Sequence, residues 1–195
     1  MKENLKDYFY NGASFSTYVF DELSFLCAKY KISFFKSIPY KKIKSILLKD
    51  YNGITKLELK YFITKNVNAL YNSSVLVSND VKEIKLYSKI ISPRQTLEAS
   101  PFKSNDLSSN LMNQKACFIL DKDKNKQIEY YKNLFKLSKV EYFDSYRTGR
   151  INEPIDKIGL FLLQDDSDVY FISAGYFSNI IAEQVFNLNK IAIIL

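Results

Sequence analysis

Apolar residues occur along this chain in two rhythms, and the contrast is sharpest after residue 115. Residues 116–120 and 169–172 are continuous apolar runs, as expected of a strand buried on both faces. Residues 140–143 and 191–195 read as shorter strands. Between these runs, residues 126–137, 152–163 and 179–188 place apolar side chains three and four positions apart, which predicts amphipathic helices. Glu153 and Pro154 suit the first turn of the middle one. Strand–helix alternation of this kind predicts a parallel sheet with right-handed crossovers.

The first half is more helical. Residues 1–10 predict a short amphipathic helix, closed by the turn dipeptide Asn11-Gly12. Residues 15–20 alternate aromatic and small polar side chains, as a strand does. Residues 23–28 read as the first turns of a helix, and 32–35 as a short apolar run. Pro39 opens a helix that carries a lysine cluster. Thr55-Lys-Leu-Glu58 is a capping-box pattern. The helix it opens shows apolar residues at Leu57, Tyr61, Val67 and Leu70, and Asn72-Ser73-Ser74 ends it. Residues 75–77 predict a buried strand, and 81–91 a weak helix. Residues 93–114 are polar and rich in Ser and Asn, and predict a mobile seam within one domain over 1–195. Together the elements predict an α/β fold, Rossmann-like, with a mostly parallel sheet and flanking helices.

Composition removes whole classes of chemistry. The chain has no histidine, which excludes a Ser-His-Asp or Cys-His nucleophile and any His-ligated metal. Acid–base or metal chemistry must rest on Asp, Glu, Lys, Tyr or Cys. Hydrophobic residues make up 47% and charged residues 25%, as in ordinary soluble domains. No apolar run approaches the roughly 20 residues of a membrane-spanning helix. The opening Met-Lys-Glu-Asn-Leu-Lys-Asp carries acids and no apolar core, so no secretory signal is expected. Cys27 and Cys117 each lie in an apolar segment and predict buried free thiols in a reducing, cytoplasmic setting.

The net charge of +7 is mostly lysine, with only Arg94, Arg147 and Arg150 as arginines. Readers of nucleic acid lean on arginine for bidentate base contacts, so a nucleic-acid partner is not expected. No Asp…Glu-x-Lys pattern on paired strands supports a nuclease-like metal site either. Residues 1–65 carry +6, residues 66–138 carry +4, and residues 139–195 carry −3. The densest basic cluster is Lys36, Lys41, Lys42, Lys44 and Lys49. It reads as a solvated helix face, or as a surface for phosphates or an anionic membrane.

Ligands of open α/β sheets bind at the carboxyl ends of strands. Four places there bear on chemistry. Ser173-Ala-Gly175-Tyr-Phe-Ser178 is a strand-to-helix turn whose glycine admits a ligand to the backbone and whose helix offers free N–H groups to an anion; an ordinary tight turn reads equally well. Asp121, Lys122 and Asp123 follow another strand and read as a solvated turn. Arg147 and Arg150 follow a third strand, and suit either phosphate or carboxylate binding, or a plain surface loop. Asp21-Glu22 follow the first strand. They suit a divalent cation that holds phosphates, or a helix cap with an acidic first turn.

Two of these segments resemble a known family. Ser14-Phe-Ser-Thr-Tyr-Val-Phe-Asp-Glu-Leu-Ser-Phe-Leu26 resembles the N-terminal signature of the GT-D type bacterial glycosyltransferases, in which a strand runs into an Arg-Phe-Gly-Asp-Gly-Glu-like motif and an apolar helix. Asp168-Val-Tyr-Phe-Ile-Ser-Ala-Gly-Tyr-Phe-Ser-Asn-Ile-Ile-Ala-Glu183 resembles that family's last strand–helix unit. Ala69-Leu-Tyr-Asn72 ahead of a short strand is similar in order and spacing. The resemblance implies a Rossmann-like transferase, intact or degenerate, moving a hexose from a nucleotide-sugar donor to a bacterial surface glycan or glycoprotein. It implies Asp21 and Glu22 as the catalytic acids that hold Mn²⁺ or Mg²⁺ and the donor diphosphate. It implies Gly175 and Ser178 as the turn beside the donor; Arg147 and Arg150 remain substrate-binding candidates on the ground of their own chemistry. The alternative is a non-enzymatic Rossmann-like binding module that works through the basic surface at 36–49, including a peripheral membrane contact.

Overall fold

The computed structural model of the chain describes residues 13–49, 51, 53–78, 96–98, 114–121, 139–143 and 150–195. Its strands are β1 (Thr17–Val19), β2 (Val75–Val77), β3 (Thr96–Glu98), β4 (Ala116–Asp121), β5 (Lys139–Phe143), β6 (Val169–Ser173) and β7 (Ile191–Ile194). Its helices are α1 (Glu22–Ile32), α2 (Ser37–Leu47), α3 (Lys56–Asn72), α4 (Asn152–Gln164) and α5 (Ser178–Asn187). The architecture is mixed α/β. One parallel sheet has the order β1-β2-β3 and the other the order β5-β4-β6-β7. All their ladders are parallel.

The two sheets meet where β1 runs beside β7. An isolated parallel bridge joins Ser16 to Ala192. The Ala192 N–H donates to the Phe15 carbonyl at 2.9 Å. The Ile194 N–H donates to Thr17 Oγ1 at 2.8 Å. A side chain thus satisfies a strand donor where the backbone ladder stops.

Pleating sorts the strands' side chains into two cores. Cys117, Ile119, Tyr170, Ile172, Ala192 and Ile194 join the helices in one cluster. Ala116, Phe118, Leu120, Val169, Phe171, Ile191 and Ile193 form the second, on the other face. Phe118 and Phe171 stack there with ring centroids 4.8 Å apart. Burial on both faces is why β4 and β6 are unbroken apolar runs in sequence.

Several expectations need correction. β1 forms within the strand expected at 15–20, but its small polar residues face protein rather than water: Phe15, Ser16, Thr17 and Tyr18 are all buried. α1 runs on through Ile32, and the expected apolar run 32–35 becomes the turn into α2, with Phe34 and Phe35 exposed. The capping box at Thr55 and Glu58 forms, but Leu57 lies outside the buried stripe at 78% exposure. That stripe is Leu59, Phe62, Ile63, Asn66, Val67, Ala69 and Leu70. Within the expected seam at 93–114, residues 96–98 are a strand that extends the ladder of β2. The helices expected at 1–10, 81–91 and 126–137 lie outside the described residues. No helix among the described residues is long and apolar enough to cross a membrane. Cys27 and Cys117 are buried free thiols.

Candidate functional site

Every strand is parallel, so the carboxyl ends gather on one side of the molecule, and the helices return along the strands. α3 ends three residues before β2, and α4 ends five residues before β6. Their N-termini therefore lie on the carboxyl side of the sheet, as does that of α5, which follows β6. Asp21 and Glu22 follow β1 there. Gly175 and Ser178 follow β6, and Arg150 precedes α4. The sequence thus assigned these residues to a common side, which the topology reproduces. Arg147, Lys122 and Asp123 lie outside the described residues. The strand order also reverses there: β4 leads outward to β5, whereas β6 leads inward to β7.

Asp21 is the N-cap of α1. Its backbone is extended, and its Oδ1 accepts from the Ser24 N–H at 2.7 Å. Glu22 is exposed in the helix's first turn, where its charge suits the helix dipole. The arrangement is that of a capped helix with an acidic first turn, one of the two roles that the spacing allowed. The cap engages Oδ1 of Asp21. Among the described residues no three His, Cys, Asp or Glu side chains group to hold a metal.

Gly175 starts a single 3-10 turn, Gly175–Phe177, ahead of α5. Its φ of 54° lies in the left-handed region that glycine enters without a steric penalty. A Cβ built there meets nothing within 4 Å, so the backbone borders open space. α5 has no side-chain cap at its N-terminus. Ser178 differs from expectation. It is buried, and its Oγ accepts from the Ala174 N–H at 2.9 Å, so the hydroxyl locks the turn rather than facing outward.

Asn179 was not singled out by sequence. Its Nδ2 donates to the Val19 carbonyl and to Ser24 Oγ, both at 2.9 Å, and its Oδ1 accepts from the Val19 N–H at 2.9 Å. One buried amide therefore ties the end of β1 and the start of α1 to the first turn of α5. This tie holds the Asp21 corner beside the Gly175 turn. The signal in the sequence was a polar residue just ahead of Ile180 and Ile181.

Arg150 borders a different hollow. A cavity of about 520 Å³ is lined by Gly53, Thr55, Glu58, Arg150, Asn152, Glu153 and Asp156. The Thr55 hydroxyl and N–H hold the Glu58 carboxyl below its ordinary pKa, with a smaller contribution from the Arg150 charge. Neither Asp21 and Glu22 nor Gly175 and Ser178 line this cavity.

No family model, curated protein or solved structure matches this chain. What the site can do rests on its own chemistry. Burial pushes the Cys27 thiol well above its ordinary pKa, with the nearby Asp21 charge adding to it, so it stays protonated and is no nucleophile. At the Gly175 turn the Ala174, Phe177 and Ser178 N–H groups are paired, with Ser178 Oγ and with the Ala174 and Gly175 carbonyls, so what the turn offers a ligand is the exposed backbone of Gly175.

Proposed function

We propose that the chain is a Rossmann-like, glycosyltransferase-like domain that receives a nucleotide-sugar donor at the carboxyl end of its parallel strands, with hexose transfer weak or lost. The turn after β6 carries the reading. Gly175 leaves the backbone open to a ligand, and the dipole of α5 sets a partial positive charge behind the turn, which suits a diphosphate. Asn179 supports it by fixing the start of α1 alongside. The likeness of 14–26 and 168–183 to GT-D type transferases supplies the donor class, and a bacterial surface glycan or glycoprotein as acceptor. Work on such a donor would place the chain in the cytoplasm.

The weak transfer follows from what stands in the acidic motif. Tyr18 or Val19 occupies the place of the family's arginine, and the Tyr18 hydroxyl is spent on Asn66 Oδ1. Asp21 and Glu22 are adjacent, and Asp21 caps a helix. Losing one charge-assisted contact to the diphosphate costs about 1.5–3 kcal/mol, roughly a tenfold to hundredfold loss of affinity. Mn²⁺ or Mg²⁺ would neutralise the leaving diphosphate in an intact relative. Here the residues derived above bind and orient the donor only.

A thermal-shift series with nucleoside diphosphates and nucleotide sugars, with and without Mn²⁺, tests the reading. A true donor at a hundredfold excess over its Kd stabilises by about 2.7 kcal/mol. The expected result is a nucleotide shift that Mn²⁺ barely increases and that Glu22→Gln leaves intact. Silence across all nucleotides removes the donor site. Robust Mn²⁺-dependent turnover abolished by Glu22→Gln restores the full enzyme.

A further inference from the structure

The turn between α1 and α2 is the most apolar exposed point among the described residues. Phe34 is 93% exposed, Phe35 69% and Ile38 60%, and Ile32 is also exposed. Water surrounds two phenylalanines in sequence, with their rings edge to face at 5.2 Å. Nothing in the fold calls for them there. α2 is already seated by Pro39, Ile43 and Leu47, which recur every fourth residue along its buried side.

The charge around this tip has one sign. Residues 23–49 contain Lys29, Lys31, Lys36, Lys41, Lys42, Lys44 and Lys49, and no acid. All seven lysines are exposed. On α2, helical spacing puts Lys41 and Lys42 on the side of Ile38, away from the buried stripe, and Lys49 follows just beyond the helix. The base of the tip is braced. The Lys36 ammonium lies over the Tyr30 ring at 5.6 Å, and Tyr30 packs on Tyr40 with centroids 6.2 Å apart. The apolar groups therefore project from a supported corner between two packed helices.

We propose that this corner docks the protein on an anionic lipid surface, with Phe34, Phe35 and Ile38 entering the headgroup–acyl boundary and the lysines facing the phosphates. Interfacial binding combines buried apolar area with attraction to anionic lipid, and the tip holds both within one turn. The alternative polyanion is nucleic acid. Stacking on bases needs flat, free aromatic faces, whereas Phe34 and Phe35 turn edge to face and Ile32 and Ile38 cannot stack. The inference goes beyond the donor reading and does not depend on it, since none of these residues belongs to the Gly175 turn or to the Asp21 corner.

Co-sedimentation of the full chain with phosphatidylcholine vesicles, with and without about 30% phosphatidylserine, tests it. The expected result is binding to the anionic vesicles only, weakened by salt. Each lysine at such a surface is worth about fivefold in partitioning, so Lys41→Glu with Lys42→Glu lowers binding at least about twentyfold. Phe34→Ser with Phe35→Ser lowers it about tenfold or more while leaving the melting temperature within a degree or two, because exposed side chains add little to folding. Absence of binding, equal binding to neutral vesicles, or binding indifferent to the Phe34 and Phe35 changes overturns the proposal. So does displacement from vesicles by a short RNA or DNA duplex that binds the same lysines more tightly. None of these outcomes bears on nucleotide binding, so the two readings fail separately.

Discussion

Glu183 is a carboxylate placed where few are found. It is 8% exposed on α5 and accepts from Asn72 Nδ2 at 2.7 Å. Burial raises its pKa above the ordinary value, and the Asn72 amide and the Lys65 charge offset this only in part. The folded chain therefore keeps the proton over a window just above the ordinary carboxylate range, where the unfolded chain has lost it. With more protons bound in the folded state, stability falls as pH rises through that window. Glu183→Gln keeps an oxygen acceptor for Asn72 and removes the charge. The variant is expected to be more stable than the parent at pH 7 and nearly equal to it at pH 4, read from urea midpoints at the two values. A parent and variant with the same pH slope would place the sensitivity elsewhere. The same reasoning about burial separates Glu183 from the exposed Glu22, which is free to serve the helix dipole.

Asn179 acts between elements. Removing its side chain leaves the Val19 N–H and carbonyl without their partner and loosens Ser24, where α1 begins. Unpaired buried groups cost about 1–3 kcal/mol each, so Asn179→Ala is expected to lower stability by about 2–4 kcal/mol in urea denaturation. A loss below about 0.5 kcal/mol would show that the three elements hold together without it. Such a joint is hard to see in a sequence, because it depends on two segments 160 residues apart. β4, β6 and β7 were legible because strands covered on both faces become unbroken apolar runs. β1 was legible as a strand from its alternation, but the burial of Ser16 and Thr17 was not, because it rests on distant β7, where Ser16 bridges Ala192 and Thr17 spends its hydroxyl. β3 was invisible, since Thr96–Glu98 carries no apolar pattern and exists through the ladder to β2. The capping box at Thr55 was legible because all its partners lie within four residues. At the candidate site, the side of the sheet was legible from strand order. The split between capping and metal binding at Asp21 was not, because both roles use the same residue at the same place.

At the scale of the molecule, everything turns on the seam between β1 and β7. Among the described residues it is crossed by the Ser16–Ala192 bridge, the bond from Ala192 to Phe15, and the bond from Ile194 to Thr17. α5 reinforces it by packing on β1 and on β7, with Asn179 as its polar link. The apolar clusters do not respect the division between the sheets. Phe15, Val75 and Val77 from one sheet share a cluster with Phe118, Phe171 and Ile193 from the other. A core that spans both sheets couples their unfolding, so one cooperative transition is expected, coincident by circular dichroism and tyrosine fluorescence. Thr17→Val tests the seam directly. Valine keeps the shape of the side chain and removes the acceptor, leaving the buried Ile194 N–H without a partner. The expected cost is about 1–3 kcal/mol, a fall in Tm of several degrees for a chain of this size, with the single transition retained. Two separated transitions in the parent, or a Thr17→Val variant that splits one transition into two, would mean that the sheets fold as separate units and that the seam only aligns them. In that case the Asp21 corner, carried by β1, and the Gly175 turn, carried by β6, would move independently, and no donor could bridge them.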